Sequence, residues 1–317
     1  MIGRRAFVRN CILAAAATQL SKAAAVPNSA GTAKPKLKAP ASAADCHMHI
    51  YDAARFPLVP NPGEKRVPPQ NAAVPQYRLL QQRIGTSRVV IVTPRNYATD
   101  NRATLDALVQ LRPNARGVAV VHLTVTDGEL EAYHDAGVRG IRFSLTDPQA
   151  AVVTFAMIEP LAKRVAMMNW HVQFNLSGEQ IVMIGDLLRR LPSQIVFDHL
   201  GQPPRTAGID HPSHAIIRGL IDKGRTWVKL SGAYSNSTIG PPHYPEATRI
   251  AQDFVKAAPE RLVWGSDWPH PSEPDGHKPD DAVLFDLLSE WAPDAATRNR
   301  ILVRNPEVLY GFGASGA

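Results

Sequence analysis

Asp45-Cys46-His47-Met48-His49-Ile50 is a short stretch in which apolar and ionisable residues alternate, and the reading of the whole chain turns on it. Side chains alternate across a β-strand. As a strand, this stretch puts Asp45, His47 and His49 on one face. Cys46, Met48 and Ile50 fall on the other, where they suit packing under helices. Two imidazoles about 6.6 Å apart along one strand can hold a metal or polarise a carbonyl oxygen. A His-x-His pair alone is weak, because histidines also sit in polar loops for structural reasons. Its meaning depends on what kind of sheet the strand opens.

Working outward, seven more β-branched runs follow: Arg88–Thr93, Arg116–Leu123, Gly140–Leu145, His171–Leu176, Gln194–Leu200, Trp227–Ser231 and Arg261–Ser266. After a longer first gap they recur every 25 to 35 residues. Amphipathic stretches lie between them, among them Thr104–Leu111, Phe155–Met168, Gly178–Arg190 and His214–Lys223. Strands alternating with helical patterns imply βαβ units and a parallel sheet. Eight units predict a closed (β/α)8 TIM barrel over residues 45–313, in the α/β class, as a single domain. In such barrels function sits at the C-terminal ends of the strands.

Several strand ends carry groups that stand out. His199 arrives where the sixth apolar run stops, in Phe197-Asp198-His199-Leu200-Gly201. Asp267 closes an apolar eighth strand, in Trp264-Gly265-Ser266-Asp267-Trp268-Pro269-His270. A carboxylate there is a natural general base or metal ligand; the bland reading is a turn aspartate. Arg142 in strand four points inward if Ile141 and Phe143 point out. It then forks onto a substrate carboxylate or forms an ion pair inside the barrel. Strand three contributes His122, and strand five ends near Asn175.

Residues 1–44 differ in character. They hold seven of the 35 basic residues and no acidic ones, leaving 28 basic against 28 acidic residues beyond them. The sequence pI of about 9.5 therefore belongs to the leader, which removes the main argument for nucleic-acid binding. Arg4-Arg5-Ala6-Phe7-Val8, an apolar run from Cys11 to Leu20 and Ala23-Ala24-Ala25 read as a cleaved signal over residues 1–25. The paired arginines point to twin-arginine export and a periplasmic location. The run is too short for a stable membrane span. Residues 26–44, rich in Ala, Pro, Lys and Ser, are expected to form a flexible linker. Cys46 is the only cysteine beyond that leader, so the mature chain has no internal disulfide. The Pro-rich gap from Ala53 to Tyr77, and Gly240-Pro241-Pro242-His243-Tyr244-Pro245, are candidate covers for the site.

Taken in order, Asp45–His49, Phe56-Pro57, Thr99–Arg102, Gly140–Phe143, Phe197–Gly201, Lys229–Gly232, Trp264–His270 and Asn305–Glu307 resemble the amidohydrolase superfamily. The resemblance is nearest to its lactonase branch, which holds dicarboxylate lactonases and sugar-lactone isomerases. It covers the chain from Asp45 to Gly311 and implies hydrolysis of a small lactone. It further implies that Asp267 activates a water and passes its proton to the leaving ring oxygen. His47, His49 and His199 would polarise the carbonyl, and Arg142 would orient the substrate together with Tyr234, Asn175 and His122.

Many members of the superfamily hold zinc with His-x-His, a strand-five histidine and the strand-eight aspartate. Here the only strand-five histidine, His171, starts its strand, about 13 Å from the strand end at Asn175. No cofactor is therefore expected, in keeping with the metal-free lactonase branch. Three ligands, His47, His49 and Asp267, still suffice for a catalytic zinc site. The resemblance also predicts arginines around the substrate that the segments 143–148 and 233–236 lack, so a mono-acid or hydroxylated lactone is expected over a dicarboxylate. Two other readings stay open: a zinc-dependent amidohydrolase or decarboxylase of the same superfamily, and a periplasmic solute-binding protein without chemistry.

Overall fold

In the computed structural model, which describes residues 25–313, the eight runs form eight strands. They are β1 (Ala44–Met48), β2 (Arg88–Val92), β3 (Ala115–Ala119), β4 (Val138–Ser144), β5 (His171–Asn175), β6 (Gln194–Phe197), β7 (Thr226–Leu230) and β8 (Leu262–Trp264). They pair in parallel and in chain order, β1 to β8. Around them lie α1 (Val74–Ile84), α2 (Arg102–Gln110), α3 (Asp127–Ala136), α4 (Ile158–Ala166), α5 (Gly178–Met183), α6 (Gly185–Arg190), α7 (Pro212–Ile221), α8 (Pro245–Ala257), α9 (Asp281–Trp291), α10 (Ala295–Asn299) and α11 (Asn305–Tyr310). The result is the expected α/β barrel. The export-signal reading of residues 1–25 falls outside the described residues, apart from Ala25. Among the described residues no helix is long and apolar enough to cross a membrane.

The ring is closed just beyond the strands. Asp267 N donates to His47 O over 2.7 Å and His49 N to Trp268 O over 2.8 Å, so the end of β1 pairs with the segment after β8. That seam is irregular. Strict alternation would put Asp45 inside and Cys46 outside, but the reverse is found. Cys46 joins Ala44, Val90, Val118, Val196, Val263 and Tyr310 in the barrel interior. Asp45 meets Tyr77 Oη of α1 at 3.0 Å. The register of β1 on β2 shifts between Asp45 and Met48, and this bulge returns His47 to the interior.

The interior of β5 is layered. Gln173 bonds buried groups in the middle of the barrel, and Asn175 reaches Ser144 at the strand end. His171 lies at the opposite end, edge-on to Tyr310. Its ring fills the space a side chain on Gly140 would need, since a Cβ there would stand 2.4 Å from the imidazole. The position at the wrong end for a zinc ligand is therefore as the sequence predicted.

The reading of residues 26–44 as a flexible linker needs correction. Val26 is buried, and Pro27 O accepts a bond from Trp268 Nε1 at 2.8 Å. The buried Arg83 guanidinium holds Ala33 O, Ala30 O and Ser29 Oγ and pairs with Asp280 at 2.6 Å. Asp286 caps the backbone nitrogens of Lys36 and Leu37. Composition suggested a tether, but carbonyls and one buried valine anchor a strap to α1 and α9.

Two outcomes test this packing. Deleting residues 1–25 should leave the thermal midpoint within about 1 °C, whereas deletion through residue 39 should lower it by about 5 °C or more, on the scale of ~2–4 °C per kcal/mol for a chain of this size. A midpoint unmoved by the longer deletion would show that the strap is decorative. His171 gives a pH signature, because burial lowers its pKa from 6.5 to about 3. Between those values the unfolded chain binds a proton that the folded chain refuses. Its contribution to stability is complete above about pH 6.5 and drains away as pH falls. Denaturant midpoints measured from pH 7 to pH 4 should fall less steeply in His171→Gln than in the parent.

Candidate active site

Four loops at the C-terminal ends of β1, β6, β7 and β8 bring the reactive groups together. Burial is nearly complete: His47, His49, His199 and Asp267 are all buried. Nε2 of His47 lies 3.5 Å from Asp267 Oδ1, that of His49 3.4 Å and that of His199 3.9 Å. The two Nε2 atoms of His47 and His49 are 3.2 Å apart. Close approach here needs Gly265, since a Cβ at that position would meet His47 Cβ at 2.6 Å. Asp267 and His199 adopt left-handed backbone, φ 62° and 48°. Such residues cost of order 1 kcal/mol each and cluster at sites that the surrounding structure over-determines.

Hydrogen bonds set the tautomers. His49 Nδ1 lies 2.7 Å from Val92 O; a carbonyl only accepts, so Nδ1 carries the proton and a neutral His49 offers a lone pair at Nε2. His47 Nδ1 lies 3.1 Å from Asp198 Oδ1, an acceptor, and 3.2 Å from Lys229 Nζ, a donor; when its proton faces Asp198, His47 has the same tautomer as His49. Burial, then the nearby Lys229 charge, holds His47 well below the ordinary histidine range. In that tautomer two bare nitrogens and a carboxylate oxygen face one another across 3.2 to 3.5 Å. Asp267 Oδ1 is buried without a hydrogen-bond partner. A triangle of this size and donor chemistry fits a divalent cation, whose bonds to His N and Asp O run about 2.0–2.2 Å. His199 differs: Nδ1 bonds Ser231 Oγ at 2.9 Å, and Nε2 is left to face the cavity.

Sequence reasoning missed what lies beneath His47. Lys229 is fully buried, with Nζ 2.7 Å from Gln173 Oε1 and 3.2 Å from His47 Nδ1. Asp198, also fully buried, takes bonds from Arg142 Nε at 3.0 Å and Gln173 Nε2 at 3.1 Å. Burial opposes its charge, yet His47, Arg142 and Lys229 together hold the Asp198 carboxyl well below the usual carboxylate range. Burial brings Lys229 down to about 8. Both residues stand in quoted motifs. The signal that could have found them is a lysine and an aspartate inside otherwise apolar strand runs.

The other expected residues divide. Arg142 and Asn175 line a cavity of about 340 Å³ above the histidines. Tyr234 is half-buried and bonds Asp267 Oδ2 at 2.5 Å. His122 is not brought in. The strand it was assigned to ends at Ala119, because Asn101 takes the Val120 backbone through both its N–H and its C=O; His122 then lies half-buried on the loop toward α3, off the cavity wall. The Pro-rich gap after β1 does supply a wall, with Glu64, Arg66, Val67 and Pro69. The second candidate cover, around Pro242 and His243, lines a separate groove beside α9. The expectation of an arginine-poor pocket also fails. Arg66, Arg95 and Arg205 join Arg142 on the wall, delivered by loops after β1, β2 and β6 rather than by the two segments inspected in the sequence. Arg95 is paired with Glu64 at 2.7 Å.

Removing one partner of a buried ion network leaves an uncompensated charge, at a cost of about 3–5 kcal/mol. Asp198→Asn keeps the shape but strands Lys229 and Arg142, so chemical denaturation should show a loss on that scale. A loss below about 1 kcal/mol would mean that the network is solvated or neutral.

Comparison with known proteins agrees with this geometry. Residues 44–312 match the model of the amidohydrolase family. The chain is 34% identical over 290 residues to a 2-pyrone-4,6-dicarboxylate hydrolase of Comamonas testosteroni, covering 89% of this chain and 94% of that one. It is 33% identical to a D-galactarolactone isomerase of Agrobacterium fabrum, over 88% and 94% of the two chains. A crystal structure of an Agrobacterium tumefaciens protein superimposes with a TM-score of 0.82 at 31% identity, over 91% of this chain and 99% of that one. With this barrel, these strand-end histidines and the β8 aspartate, the chain belongs to the amidohydrolase family.

Proposed function

We propose that the protein is a hydrolase that opens the ring of a small anionic lactone by attack of water on the ester carbonyl. One observation carries this reading. The Asp267 carboxylate stands among three imidazoles on the floor of a cavity whose wall holds arginines. Asp267 Oδ1 accepts a proton from a water whose oxygen bonds the carbonyl carbon. The His199 Nε2–H, with Ser231 donating to Nδ1, stabilises the oxyanion. When the ring C–O bond breaks, Asp267 returns the proton to the leaving oxygen. Arg142, anchored through Nε to Asp198, presents its guanidinium to a substrate carboxylate.

Two of the similar proteins are named for 2-pyrone-4,6-dicarboxylate and for D-galactarolactone, and the arginines of this cavity suit a carboxylate on the ring. A dicarboxylate therefore returns as a candidate beside mono-acids. Periplasmic location belongs to the same proposal and rests on the Arg4-Arg5 signal pattern. The bare Nε2 atoms of His47 and His49 favour a positive particle between them and Asp267. A divalent cation held there would supply Lewis-acid polarisation of the carbonyl. In its absence, an extra proton shared among the same atoms would serve.

A panel of carboxylated lactones, assayed with and without chelator and paired with elemental analysis, tests these readings. Turnover should fall about 10²-fold or more in Asp267→Asn, the usual scale of general acid–base catalysis. Tight ligand binding without turnover, unchanged in that variant, would mean a solute-binding protein instead. Activity lost to chelator and restored by zinc identifies the particle as a metal; activity that survives with no bound metal identifies it as a proton.

A further inference from the structure

Behind Asp267, on the side away from the three histidines, runs a second chain of buried and half-buried polar groups that the hydrolytic step does not use. Tyr234 Oη donates to Asp267 Oδ2 over 2.5 Å, and a carboxylate only accepts, so the single proton of this tyrosine is committed. Its lone pair is open to a donor, and Nδ1 of His270 stands 3.1 Å away. The two rings meet edge to face, 5.3 Å apart at 87°. With Nδ1–H given to the tyrosine, Nε2 of His270 stands 3.2 Å from Asp281 Oδ2, and the ring donates to both acceptors when it carries both N–H protons. His270 and Asp281 are both 0% exposed. Lys278 Nζ donates to the His270 carbonyl, and Ser29 Oγ of the strap takes the Asp281 backbone N–H.

This arrangement leaves Tyr234 nothing to offer a substrate, and it is absent from the residues that line the cavity. The sequence reading made it a substrate contact. Hydrogen-bond accounting gives it another task. A carboxylate at the end of a short side chain turns about one soft torsion, and only one of its oxygens can serve the histidine centre at a time. We propose that Tyr234, His270 and Asp281 are positioning residues that hold Oδ2 of Asp267 aside, so that Oδ1 alone faces His47, His49, His199 and the attacking water. An Asp–His–Tyr chain with its Asp and His fully buried is a poor way to add stability, since apolar residues of equal volume do as well. It is a good way to fix a direction, because each bond has a donor and an acceptor that cannot be exchanged without breaking the next.

The proposal rests on Asp267 as the reacting base, and two measurements keep it separable from that reading. The first is steady-state kinetics of Tyr234→Phe and Asp281→Asn on the carboxylated lactone that the parent opens fastest. Misplacing a catalytic group by about 1 Å costs about 10²-fold. Tyr234→Phe should therefore lose roughly 10- to 100-fold in kcat, with KM within about threefold. Asp281→Asn should lose less, in the same direction. A tenfold rise in KM at unchanged kcat would instead make Tyr234 a substrate contact and overturn the proposal. The second is a high-resolution crystal structure of Tyr234→Phe. The Asp267 carboxylate should be turned from its parent orientation or spread over two. If the parent opens no lactone, the hydrolase reading fails by itself. The crystallographic result still decides the positioning role, and a carboxylate that keeps its orientation without the tyrosine hydroxyl would refute it.

Discussion

The carboxylate of Asp45 closes the barrel. It accepts Ser266 N at 2.9 Å and Ser266 Oγ at 2.6 Å from the segment after β8. It also accepts His47 N at 3.2 Å from its own strand and Tyr77 Oη at 3.0 Å from α1. Burial pushes its pKa up to about 6, and those four bonds work against that rise. Everything at the site is referred to this latch. It is the reason β1 bulges, and the bulge turns His47 inward. Ser266, held by the latch, in turn takes Trp268 N through its hydroxyl at 3.1 Å, and Asp267 sits between these two fixed residues. The histidines and the aspartate come from opposite ends of the chain, yet their spacing is set by one shared acceptor.

Asp198 does for charge what Asp45 does for geometry. The barrel centre holds Lys229 and Arg142, two cations that water does not reach freely, and Asp198 is the anion common to both. It also stands 3.1 Å behind Nδ1 of His47. A carboxylate behind a histidine is the usual way to orient a ligating or catalytic imidazole. Here the same carboxylate orients the arginine on the cavity wall, so substrate charge and imidazole geometry are coupled through one residue. A substrate anion that drew on Arg142, as proposed, would compete with Asp198 for the same guanidinium.

Much of this was legible in the sequence. The eight strands and their order follow from β-branched runs at regular spacing, because burial on both faces of a parallel strand demands apolar residues. The convergence of His47, His49, His199 and Asp267 follows from their places at strand ends. What failed was whatever strict alternation or local composition could not encode. Period-two counting placed Asp45 inside and Cys46 outside, and a single bulged residue exchanged them. His122 was read as the end of a strand that Asn101, nineteen residues earlier, cuts short at Ala119. The pocket arginines were missed because Arg66, Arg95 and Arg205 lie in loops, where no periodicity says which way a side chain points. The strap looked like a linker because its anchors are backbone carbonyls, which are the same in every sequence.

The metal question shows how a sequence argument and a geometric one weigh different things. The sequence counts ligands, and the missing histidine at the end of β5 counts against zinc; Asn175 there is engaged instead with Ser144 and Gln202. Geometry asks what the remaining atoms require. Val92 O claims the Nδ1 proton of His49, and when His47 gives its own to Asp198, both histidines present lone pairs at Nε2, 3.2 Å apart and beside an anionic oxygen. Two lone pairs and a carboxylate do not attract one another. A divalent cation or a shared proton among them would relieve that repulsion. The absent fourth ligand therefore does not argue for an empty centre. It leaves one side of the triangle unclaimed by protein, toward the cavity, where the proposed reaction would bring a water and a lactone carbonyl together.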